Sequence, residues 1–85
     1  MTEQFVQTID EALAAISGEV LDKSRVADRL LDLRLAADSP ELVAAVDDVL
    51  TGMPGRTMVP TAWWADALNG LRLAAELEGE KTPLG

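Results

Sequence analysis

Residues 20–37 read VLDKSRVADRLLDLRLAA. Within this stretch Val26, Leu30, Leu33 and Ala37 recur at steps of four, three and four, with Ala27, Leu31 and Leu35 beside them. That is the period of an α-helix, not the strict alternation of a half-buried strand. The apolar face is wide, and the spacing predicts the central and most enclosed helix of a bundle, touching neighbours on two sides. Asp22, Arg25, Asp28, Arg29 and Asp32 take the other face at helical spacing, which predicts a ladder of weak ion pairs along the helix.

The same period continues on either side. Phe5, Ile9, Ala12, Leu13 and Ile16 draw one stripe between Thr2 and Ser17, and Ser17-Gly18 is a plausible stop, since glycine enters the left-handed conformation of a helix end without steric cost. Downstream, Ser39-Pro40-Glu41 supplies a capping hydroxyl, a proline suited to a first helical turn and an acid against the positive helix end. The helix that starts there runs through Leu42, Val43, Val46, Val49 and Leu50 to Thr51-Gly52. Residues 52–60, GMPGRTMVP, hold two glycines and two prolines and predict the longest loop. Pro60-Thr61 then open a last helix with Trp64, Leu68, Leu71 and Ala75 on its stripe and Trp63, Ala67 and Ala74 alongside. The stripe keeps phase across Asn69-Gly70, which predicts one unbroken helix in which Gly70 lets a neighbour approach. The expected fold is all-α: a compact bundle of four helices (about 2–17, 20–37, 40–51 and 60–78) in a single domain 1–79, with a flexible tail at 80–85.

Composition agrees. Thirteen alanines and thirteen leucines dominate a chain of 85 residues that is 48% hydrophobic and only 4% aromatic, and both are strong helix formers. Fifteen acids against seven bases give a formal net charge of -8, so the long-range field repels nucleic-acid phosphates. There is no Cys and no His, which removes disulfides, thiolate metal sites, imidazole ligands and a histidine general base. The longest uncharged stretch, Thr57 to Ala65, is interrupted by Pro60 and too short to span a bilayer. Glu3, Asp10 and Glu11 stand where a secretory signal needs a basic start and an apolar middle, so a cytoplasmic location is expected. Charge is uneven: residues 1–50 carry eleven acids and four bases, residues 51–85 four acids and three bases.

Catalytic chemistry finds little to work with. Ser17, Ser24 and Ser39 each have a capping or turn role, and none sits in a glycine-rich elbow. Asp28 with Asp32, and Asp47 with Asp48, fall on faces expected to be solvated, where nothing would raise a carboxyl pKa. No Glu-x-x-His pair, Asp-rich calcium loop or phosphate-cradling glycine motif occurs. No catalytic residue, metal or cofactor is therefore expected.

Asp38-Ser39 just before a helix, in a small acidic helical chain, resembles the acyl carrier proteins. That resemblance implies a phosphopantetheine attached to Ser39. The match covers little beyond the dipeptide: Ala36-Ala37-Asp38 stands where the family has Gly-x-Asp or a close variant, and Pro40 follows where it has an apolar residue.

Trp63 and Trp64 are the most informative pair, because neighbours on a helix point about 100° apart. Either Trp64 fills the core and Trp63 lies flat over an adjoining helix, or Trp63 joins Met53, Met58 and Val59 in an exposed apolar patch that anchors a partner. Gly70 with Ala67 and Ala74 would offer close approach either to a helix of the same chain or to one of a second copy. A chain of this length buries only about 60–65% of the surface its unfolded state exposes, so some apolar surface is left over. The expected function is a non-catalytic cytoplasmic interaction module, regulatory or adaptor in role, acting through Trp63, Met53, Met58, Val59, Ala67 and Gly70 on another protein or on a second copy as a homodimer, with no direct nucleic-acid or membrane binding. Its alternatives are an acidic inhibitor mimicking nucleic acid on a basic target, motivated by the acids from Asp22 to Asp48, and the carrier modified on Ser39.

Overall fold

Ser39 sets the clearest boundary of the chain. Its backbone is extended and its Oγ accepts a hydrogen bond from the Leu42 N–H at 3.3 Å, satisfying one of the donors that a helix start leaves over. Pro40 follows in the first turn, where its missing N–H costs nothing. The computed structural model describes residues 3–81, and this helix is the third of four among them: α1 (Glu3–Ala14), α2 (Lys23–Ala36), α3 (Pro40–Thr51) and α4 (Thr61–Lys81). The protein is an all-α bundle in one small domain. Packing is a ring, in which α1 lies against α2 and α4, and α3 against the same two. Phe5, Ile9, Leu30, Leu33, Leu42, Val46 and Leu68 meet inside it, all at 0–1% exposure.

Three expectations are corrected here. Residues 20–22 are not helical: Val20–Asp22 forms a strand, β1, and pairs antiparallel with β2 (Met58–Pro60), which occupies the end of the expected loop. The register is Val20 with Pro60, Leu21 with Val59 and Asp22 with Met58. Lys23 N–H donates to the Thr57 carbonyl and Thr61 N–H to the Glu19 carbonyl, both at 2.9 Å, which puts Leu21 and Val59 in the hydrogen-bonded phase and Pro60 at a position where the ladder needs no donor. Gly55 (φ +78°) makes the preceding turn possible, since a Cβ there would collide with the Met58 carbonyl oxygen. Lys23 Nζ donates to the Gly55 carbonyl at 2.7 Å and fastens that turn to the start of α2.

The second correction concerns α2. A ring gives every helix two neighbours, so α2 is no more central than the others. It buries Val26, Leu30 and Leu33, while Leu31 is 50% and Leu35 86% exposed. The third concerns the ends. Gly18 does take a left-handed conformation (φ +78°), but α1 stops at Ala14, four residues before it. α4 runs unbroken through Asn69-Gly70 and on to Lys81, past the expected end at 78; the rest of the expected tail, 82–85, lies outside the described residues, as does Thr2.

Candidate functional site

α4 has 21 residues, about 32 Å at 1.5 Å per residue, against 12 in α1 and in α3. Its inward stripe is Trp64, Leu68, Leu71 and Ala75, all at 0–2% exposure. Arg72 marks the flank turned to α1, with Nη1 3.1 Å from Asp10 and Nε 4.0 Å from Glu76. Trp63, Ala67 and Ala74 lie on the opposite flank, half-buried and packed against the core. Gly70 continues that flank outward, exposed, with nothing within 4 Å of where a Cβ would stand. Leu73 and Leu77, at 57% and 48% exposure, complete an apolar strip from Trp63 to Leu77 at helical steps. Asp66 is an exposed ionised side chain at its margin.

The expected patch is therefore divided. Trp63, Ala67 and Gly70 share the α4 strip. Val59 does not belong to it: at 0% exposure it points into the core, because in an antiparallel ribbon it shares a face with Leu21, and Met58 and Pro60 share the other. Met58, 43% exposed, stands on the outer face of the ribbon with Val20, 51% exposed. Met53 is half-buried against the core. Of the two neighbours expected for Gly70, a helix of its own chain is not found among the described residues. Leu73 and Leu77 were legible as a pair one turn apart, opposite the Trp64 stripe; the periodicity alone did not say that no element covers that side.

Charge is arranged differently from the expected ladder. Ion pairs among the described residues include Arg34 Nε to Asp47 at 2.9 Å, joining α2 to α3, and the two made by Arg72. Arg25, Asp28, Arg29 and Asp32 make none, although they stand three and four residues apart on α2. They border two cavities along the groove between α1 and α2, about 310 and 380 Å³, which share Arg29 and Asp32 in their walls. The first has an apolar floor of Ala12, Ile16, Leu21, Val26 and Trp64.

Ser39 acts as the cap of α3. No group of three or more carboxylates among the described residues is placed to share a metal ion, and no helix among them is long and apolar enough to cross a membrane. No protein-family model, curated protein or solved structure matches the chain, so the surface itself has to carry the functional reading.

Proposed function

We propose that this chain is a non-catalytic, cytoplasmic protein–protein interaction module, regulatory or adaptor in role, that takes an apolar segment of another protein onto the outer face of α4. The supporting observation is the strip from Trp63 through Ala67 and Gly70 to Leu73 and Leu77. Two leucines half in water on one face, beside a glycine that leaves space for a close approach, form a surface that gains on being covered, by about 1 kcal/mol for each leucine. The half of the chain that carries α4 is nearly neutral, four acids to three bases, so the contact is apolar and tolerates salt. The acidic half stays outward and keeps the module soluble. Ser39 engaged as a helix cap and the arginines interleaved with the α2 acids favour this reading over a carrier and over a nucleic-acid mimic.

A photo-crosslinking residue placed at Leu73 tests it, with the same residue at Ala44, exposed on α3, as control. Adducts with a defined protein at position 73, absent at 44 and lost when Trp63→Ala and Leu77→Ser are added, are expected. Equal labelling at both positions, or none at 73, overturns the reading.

A further inference from the structure

The charged stripe of α2 makes no ion pair among the described residues. Read from Arg25 to Asp32 the signs run plus, minus, plus, minus at i, i+3, i+4 and i+7. None of the four has an ion-pair partner among the described residues, although opposite charges stand three apart in Arg25–Asp28 and Arg29–Asp32, with like charges four apart in Arg25–Arg29 and Asp28–Asp32. Reversed, the same order reads minus, plus, minus, plus. The stripe is therefore complementary to itself in an antiparallel partner, the condition a two-fold interface imposes, in which residue i meets j and j meets i.

We propose that α2 pairs antiparallel with α2 of a second copy about a two-fold axis between Asp28 and Arg29. In this register Arg25 faces Asp32 of the second copy and Asp28 faces Arg29, and symmetry repeats both contacts. The same register disposes of the most exposed leucine described. Leu35, 86% exposed, lies about 10 Å along the helix from the axis. An equal distance on the other side stands Asp22 at the junction of β1 and α2, beside Leu21, which with Arg25, Asp28, Arg29 and Asp32 walls the 310 Å³ cavity over Trp64. The cavity therefore runs beside the whole stripe, and the pairing lays each Leu35 against the Leu21 end of the other copy's cavity. α2 and α4 occupy opposite corners of the helix ring, so the dimer leaves both α4 strips free and makes the proposed module bivalent. The inference does not rest on the α4 reading.

Sedimentation equilibrium of the full chain across roughly 10–1,000 µM, the affinity range of small interfaces, reads the outcome. Dimer is expected for the unmodified chain. Asp28→Arg and Arg29→Asp should each weaken it about tenfold or more, because symmetry makes every substitution act twice. The two change net charge in opposite directions, so a shared effect is not general repulsion. The double variant Asp28→Arg/Arg29→Asp restores the cross-pairing at the original net charge and should dimerise again, as should Arg25→Asp/Asp32→Arg. Leu35→Ser, at a side chain too exposed to support the fold, should weaken the dimer as well. A monomer throughout the concentration range overturns the proposal. So does a dimer indifferent to these changes; if Leu73→Ser then dissociates it, a second copy and not another protein occupies the α4 strip.

Discussion

Val59→Ala tests the register that joins the two ends of the bundle. Val59 is wholly buried opposite Leu21, whereas its neighbour Met58 is 43% exposed. Removing two buried methyl groups loses about 1.6 kcal/mol of transfer free energy, and the cavity left in a ring of packed helices brings the cost to about 2–3 kcal/mol. A chain of 85 residues has only about 4–13 kcal/mol of total stability, so the loss is a large fraction of it. The thermal midpoint should fall by about 10–20 °C, at about 4–8 °C per kcal/mol for a domain of this size. Met58→Ala, at a half-solvated side chain, should cost under about 1 kcal/mol. Thermal and urea unfolding followed by far-UV circular dichroism measure both, with an unchanged urea slope showing that the same surface is exposed. If Met58→Ala proves as costly as Val59→Ala, the ribbon is shifted by one residue and its two faces are exchanged.

Three further outcomes follow from the backbone. Gly55→Ala should destabilise by about 1–3 kcal/mol in urea titration, since a Cβ meets the Met58 carbonyl and the position requires positive φ; a neutral result would mean that the turn is built otherwise. Gly70→Ala should stabilise by about 0.5–1 kcal/mol, because the site lies inside α4 with open space beyond it, while reducing crosslinking from position 73 if close approach at Gly70 matters to the partner. Ser39→Ala should cost about 1 kcal/mol through the lost cap to Leu42, and Ser39→Asp should recover most of it; a Ser39→Asp variant as unstable as Ser39→Ala would contradict a capping role.

The helices were legible because their signals are local. Ser39 and Pro40 mark a start within three residues, and the Trp64, Leu68, Leu71 and Ala75 stripe needs only its own period to show that α4 passes through Asn69-Gly70. The candidate site was legible in part, since Trp63, Ala67 and Gly70 fall on one strip by spacing alone. Val59 was misread because a three-residue strand has no periodicity of its own; whether it faces in or out depends on pairing with residues 20–22, two helices earlier in the chain.

Amino-acid order by itself determined that this chain is helical, where α3 begins and which stripe of α4 is innermost, because those properties are decided by side chains within a turn or two of one another. Only the tertiary structure decided that residues 20–22 leave the helix to pair with 58–60, that Leu35, Leu73 and Leu77 stay in water while Val59 does not, and that Arg25, Asp28, Arg29 and Asp32 make no ion pair among the described residues while Arg34 makes one. Leucines lie all round α2 and α4, so sequence offers each helix more than one face to bury. Which face goes inward is settled by the two neighbours that the ring provides, and what they leave uncovered is the surface available for binding.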